Sequence, residues 1–273
     1  MSKAPKVLIV DTDRGLSSLA PDDRIEDVFG YKPRRFIRSK SIQIFRDKMF
    51  ENYVQVDEDA LGPVENEYWK LKSGKELDYI VWDSLTSWQA MKREELKAES
   101  NTGKMTQNSW GDLADDLEEL VTTFERSDVP FIATCHTKQV DDGSGTSTYG
   151  PSIQGRMKHE LTRHFDIVAY SLASANEKGT REYKWQILAD EYRAAGCRFD
   201  EISKWAAKNN GCIPPDFGLL TTKLQEAGYT KFNMLIIGPP KTGKTYSLRT
   251  LNDAKKLISQ PTPSTKGDTN EDK

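Results

Sequence analysis

Met234-Leu-Ile-Ile-Gly238-Pro-Pro-Lys-Thr-Gly243-Lys244-Thr245-Tyr-Ser-Leu-Arg-Thr-Leu251 decides how the chain folds. Its first four residues form an apolar run short enough for a buried strand, and Thr245 to Leu251 read as the start of a helix. Between them lies a loop of the form G-x-x-x-x-G-K-T. A loop that closes its backbone amides around phosphates needs glycines for close approach, a lysine to reach the terminal phosphates and a hydroxyl for Mg2+. Gly238, Gly243, Lys244 and Thr245 meet those needs. Pro239, Pro240, Lys241, Thr242 and Tyr246 complete the expected nucleotide contacts. A helix starting at the loop adds a dipole that favours anions.

Working outward, three further runs read as buried strands: Lys6-Val-Leu-Ile-Val-Asp11, Leu77-Asp-Tyr-Ile-Val-Trp-Asp83 and Val129-Pro-Phe-Ile-Ala-Thr-Cys-His136. Each ends in a polar residue, as central parallel strands do when they deliver side chains to one sheet edge. Ser109 to Arg126 carries Trp110, Leu113, Leu117, Leu120, Val121 and Phe124 at helical spacing. Phe165 to Leu172 and Glu182 to Leu188, parted by Asn176-Glu-Lys-Gly179, read as a late antiparallel hairpin. The expectation is an α/β fold with a mostly parallel sheet and helices on both faces. Ala98 to Gln107 and Lys138 to Gly150 read as mobile loops after strand ends. Residues 259–273, Pro-containing and polar, read as a disordered tail beyond a single domain spanning 1–258.

Lys and Arg number 39 and Asp and Glu 42 among 273 residues, so the net charge is -3. No global basic excess marks a nucleic-acid binder, and any such site must be a local patch. Cys135, Cys197 and Cys212 have neither metal-ligand spacing nor the even count of a disulfide framework, which favours a reducing compartment. No apolar run reaches the length of a membrane span. The expected location is the cytoplasm.

A phosphate-binding loop works with an acid on a neighbouring strand that holds the Mg2+ shell. Asp83, followed by Ser84, has that form, so Thr245 and Asp83 are the expected Mg2+ residues, the latter through water. Asp11 and Asp13 end a second strand. Three carboxylates are thus expected to converge at one sheet edge, at least one of them polarising water.

Taken together, the motifs at Ile236 to Thr245, Val7 to Asp13, Tyr79 to Ser84, Ile132 to His136 and Gly150-Pro-Ser-Ile-Gln-Gly155 resemble the RecA-like P-loop ATPases, in particular the phage-encoded, Sak4-like single-strand-annealing type. The resemblance implies that Asp13 activates water, that His136 senses the terminal phosphate, and that the catalytic set is Asp13, Lys244, Asp83 and His136. The family's usual acid at the place of Asp13 is Glu, one methylene longer. The resemblance also implies DNA-contacting loops at about 92–107 and 138–158, with Lys92, Arg93, Lys97, Lys104, Lys138, Arg156 and Lys158 as phosphate contacts. It further implies a cation given to a neighbouring subunit, from among Lys184, Arg193 and Arg198. The implied partners are single-stranded DNA, further copies of the chain in a ring or filament, and a single-strand-binding protein, in a bacterial host's cytoplasm.

One departure stands out. In the family the P-loop precedes the strand that ends in the catalytic acid, whereas here it follows everything else, a circular permutation with the old ends joined through about Thr221 to Phe232. Two other activities fit the same loop. One is a nucleotide-gated interaction module with little turnover. The other is a small-molecule phosphotransferase, which calls for an arginine-rich lid that this chain does not display.

Overall fold

The computed structural model describes residues 7–13, 34–35, 78–141, 147–175 and 179–254. The tail expected at 259–273, residues 142–146 of the second expected loop and the tip of the late hairpin at 176–178 lie outside them.

The chain gives β1 (Val7–Asp11), β2 (Arg34–Arg35), β3 (Tyr79–Asp83), α1 (Leu85–Glu99), α2 (Gln107–Glu125), β4 (Phe131–Asp141), β5 (Ser147–Pro151), α3 (Met157–Glu160), a 3-10 turn (Leu161–His164), β6 (Ile167–Ala175), β7 (Arg181–Gln186), β8 (Gly196–Cys197), α4 (Asp200–Ala207), β9 (Cys212–Ile213), α5 (Phe217–Glu226), β10 (Asn233–Gly238), α6 (Lys244–Ser247) and a 3-10 segment (Leu248–Asp253). The sheet runs β2-β1-β3-β4-β10-β6-β7-β9. From β2 to β6 the neighbours are parallel, and β7, β8 and β9 pair antiparallel to theirs. The fold is therefore the expected mixed, mostly parallel P-loop α/β sheet. β10, last of these strands in the chain, lies at its centre.

Residue alternation distributes the strands between two cores. Ile80, Trp82, Phe131, Ala133, Leu235 and Ile237 face α1 and α2. Tyr79, Val81, Ile132, Met234 and Ile236 face α4, α5 and the Leu248–Asp253 segment. With both faces covered, these strands must be apolar throughout, which is why they read as unbroken runs. α2 buries Leu113, Ala114, Leu117, Leu120, Val121 and Phe124, and Phe124 stacks on Phe131 at 4.8 Å between ring centroids.

Four local expectations change. Residues 85–99 hold no Gly or Pro and many strong helix formers, so α1 runs through Lys92, Arg93 and Lys97. Only Ser100 to Thr106 connects it to α2. Much of the expected loop 138–150 is an antiparallel ribbon, with Lys138 opposite Gly150 and Asp141 opposite Ser147. The junction expected at 221–232 is half helix, because α5 continues to Glu226. After the P-loop the α-helix lasts one turn and tightens to 3-10. There the Ser247 hydroxyl donates to the Lys244 carbonyl and the Thr250 hydroxyl to that of Ser247, local bonds that favour the tighter turn.

Candidate nucleotide site

Strand register brings the motifs to one edge. Asp11 pairs with Asp83 across β1 and β3, and Gly238 with His136 across β10 and β4. The P-loop leaves the end of β10, and two of its glycines are sterically required. A Cβ on Gly238 would sit 2.9 Å from Thr242 Oγ1 and 3.0 Å from Ser171 Cβ. Gly243 has φ +82°, and a Cβ there would meet the Tyr183 ring at 2.9 Å. Lys241 also adopts a left-handed conformation, at φ 65°. The loop is pinned from within by the Ser171 hydroxyl, which donates to the Thr242 carbonyl at 2.8 Å, and by that of Thr242, which donates to the Pro239 carbonyl at 2.8 Å.

Lys244 is buried, and its ammonium donates to the carbonyls of Gly238 at 2.9 Å and Pro239 at 2.8 Å. Burial lowers its pKa, while Asp83, Cys135 and Asp13 act in the opposite direction. A buried ammonium held by neutral carbonyls alone is a cation suited to a polyanion. The amides of Gly243, Lys244 and Thr245 donate to no protein acceptor among the described residues.

The expected acid reaches the loop from farther away than supposed. β3 is not the neighbour of β10, because β4 lies between them. Thr134 of β4 spans the gap: its hydroxyl donates to Asp83 Oδ1, and the Thr245 hydroxyl donates to Asp83 Oδ2 at 2.7 Å. Asp83 is fully buried, and burial pushes its carboxyl pKa up against the pull of those two hydroxyls. Thr245 and Asp83 together present a hydroxyl and a carboxylate, hard oxygen donors of the kind Mg2+ takes.

Asp13 lies beside a different group. Its Oδ2 is 2.9 Å from His136 Nε2 and accepts from the Ser84 hydroxyl at 3.3 Å, and its Oδ1 accepts from the Ser87 hydroxyl. The His136 hydrogen bond, aided by Ser87 and opposed by partial burial, lowers the Asp13 carboxyl to about 2. The turn that carries it is clamped: Thr12 Oγ1 donates to the Ser84 carbonyl at 2.7 Å and accepts from the Ser84 amide at 2.9 Å, and the Thr12 amide donates to the Asp83 carbonyl at 2.7 Å. The three carboxylates thus do not close into one cage. No group of three or more His, Cys, Asp or Glu side chains is placed to hold a metal among the described residues. Asp83 turns to the P-loop and Asp13 to His136.

Sequence reading named Asp13, Asp83, His136, Lys244 and Thr245, which the structure brings to one edge; it noted Ser84 only as the residue after Asp83 and passed over Thr12, Ser87 and Thr134. Thr134 did leave a signal, as a hydroxyl inside the otherwise apolar run Phe131-Ile-Ala-Thr-Cys135.

A family comparison matches residues 1–210 to a model described as an AAA domain. The chain belongs to the AAA domain family. AAA domains are generally ATPases that bind ATP with Mg2+, so a nucleotide-binding ATPase is the activity the family carries. The matched span ends before the P-loop strand, Asn233–Gly238. No curated protein and no solved structure matches the chain.

The cations expected on DNA are scattered in this AAA domain. Lys92 is buried on α1, paired with Asp116 of α2 at 2.9 Å and Glu95 at 3.6 Å, where it ties the two helices together. Arg93 lies 3.2 Å from Glu94, and Lys97 2.9 Å from the same carboxylate. Arg156 joins Asp115 at 2.6 Å and Glu118 at 2.7 Å, and Lys138 donates to the Ile153 carbonyl. Lys104 and Lys158 have no acidic partner among the described residues. Of the cations expected to serve a neighbour, Lys184 is exposed on β7, and Arg193 is held by Asp190 at 2.6 Å and lies over the Tyr170 ring. Arg198 sits beside Asp166, at the edge opposite the P-loop.

Proposed function

We propose that this AAA domain is an ATP-hydrolysing, single-stranded-DNA-binding recombination protein of the phage-encoded, RecA-like annealing type, working as a homo-oligomer in the cytoplasm. The observation that carries the nucleotide half is the 2.7 Å hydrogen bond from Thr245 to the buried carboxylate of Asp83, with Lys244 on one side and the Asp13–His136 pair on the other. Lys244 and the P-loop amides bind the phosphates. Thr245 and Asp83 hold Mg2+, which when bound neutralises charge on the phosphates. Asp13, ionised at any ordinary pH, orients and polarises the attacking water.

The DNA half rests on connectivity. His136 continues directly into the β4–β5 ribbon, and its carbonyl accepts from the Ser152 amide at 2.6 Å. A displacement of His136 by the terminal phosphate therefore pulls on the ribbon and on the segment leading to Lys158. Tyr149, 41% exposed on β5, offers a ring to a base, and Lys104 and Lys158 offer charge to the backbone. One observation favours a nucleotide-gated module with slow turnover: the Asp13 carboxylate already accepts from Ser84, Ser87 and His136, which must yield before water is engaged.

Fluorescence anisotropy with a labelled oligonucleotide tests the DNA half. Single strands should bind more tightly with Mg2+ and a non-hydrolysable ATP analogue than without. The affinity should fall steeply between 50 and 200 mM salt, roughly tenfold or more for a few phosphate contacts, and Lys158→Glu should weaken it. Binding that ignores nucleotide, or none at all, would remove the recombination reading.

A further inference from the structure

The rim of the P-loop carries three side chains that the phosphate chemistry does not use. Tyr246, directly after Thr245, is 39% exposed. The Arg249 guanidinium lies 3.9 Å from its ring centroid. Tyr183, from β7, places its ring 6.4 Å from that of Tyr246, inclined by 37°. Tyr183 also covers the loop itself, since its ring fills the space a side chain on Gly243 would need.

Sheet order says which end of a nucleotide this rim meets. β10 lies between β4 on one side and β6, followed by β7, on the other. Asp83, Asp13 and His136 all come from the β4 side. A nucleoside triphosphate with its terminal phosphate at that group and its chain along the P-loop must carry its base toward β6 and β7, where Tyr183 and Tyr246 stand. We propose that Tyr183 and Tyr246 form the nucleobase platform of this site, with Arg249 bracing the Tyr246 ring by a cation–π contact. The inference rests on reading the P-loop as a triphosphate site, and it adds how the base is held: by stacking on aromatic faces. Stacking accepts any base and rewards the larger one, so purine nucleotides bind more tightly than pyrimidine nucleotides.

Calorimetric titration of the full chain with Mg-ATP, Mg-CTP and Mg-tripolyphosphate separates base from phosphates. The native protein should bind ATP more tightly than CTP, and CTP more tightly than tripolyphosphate. Tyr246→Ala should lose about tenfold in ATP affinity, less for CTP and nothing for tripolyphosphate, and Tyr246→Phe should restore the native order. Unchanged ATP affinity in Tyr246→Ala, or an equal loss for tripolyphosphate, overturns the platform, because the ring then does nothing or acts through the loop. Native protein that binds tripolyphosphate as tightly as ATP overturns the platform and leaves the P-loop reading standing. Native protein that binds neither overturns both.

Discussion

Asp13→Asn is expected to slow ATP turnover by about 100-fold or more, the scale of losing a positioned group that polarises the nucleophile, while Mg-ATP affinity stays within about threefold. The amide keeps the size of the carboxylate and can still meet Ser87 and His136, but it carries no charge. A fall in kcat with KM nearly unchanged is the signature. The same substitution has a stability consequence of known sign. The folded carboxyl is lowered to about 2 from an ordinary value of 3.8, so its ionised form stabilises the fold above pH 3.8, and that contribution is lost as pH falls through about 2. Asp13→Asn should therefore melt a few degrees lower than the native chain at pH 7. The difference should close as the acid range is entered.

Asp83→Asn should do the reverse to stability and as much harm to activity. Burial raises the pKa of Asp83, so the fold carries a penalty for its charge above pH 3.8. A neutral amide removes that penalty: of the hydroxyls of Thr134 and Thr245, the one facing the amide nitrogen can turn to accept from it while the other still donates to the amide oxygen. The nucleotide-free variant should melt no lower than the native chain and up to a few degrees higher. Turnover should fall by about 100-fold or more with the loss of a charged group beside the transferring phosphate, and Mg2+ should no longer increase the thermal stabilisation by ATP. Equal melting losses in both variants would mean that the two acids are packing elements and not electrostatic opposites.

Much of this was legible in the chain because phosphate chemistry fixes residue types at fixed spacing. Gly238, Gly243, Lys244 and Thr245 can be named without coordinates, and the runs ending at Asp11 and Asp83 have the short, unbroken apolar pattern of central parallel strands. Less legible was whatever depends on pairing across the sheet. That Thr134 would stand between β3 and the P-loop, and that Asp13 would meet His136 rather than Asp83, follows from register, which no local pattern states. The ribbon of β4 and β5 looked like a loop because residues 138–150 are polar and rich in Gly, Ser and Thr, without the apolar alternation that marks a strand. The charges of α1 looked like a nucleic-acid surface. Lys92, named as a phosphate contact on the resemblance, shows what a residue type does not reveal: its long apolar stem and its ion pair with Asp116 let a lysine serve as packing.

Steady-state ATP hydrolysis in Mg2+, with and without single-stranded DNA and with duplex DNA as the control, tests the central claim most directly when native protein is set beside Lys244→Ala. The account predicts turnover that single strands stimulate, that duplex stimulates less, and that Lys244→Ala abolishes under every condition. Hydrolysis that survives in Lys244→Ala, or that single strands leave unchanged, would contradict it.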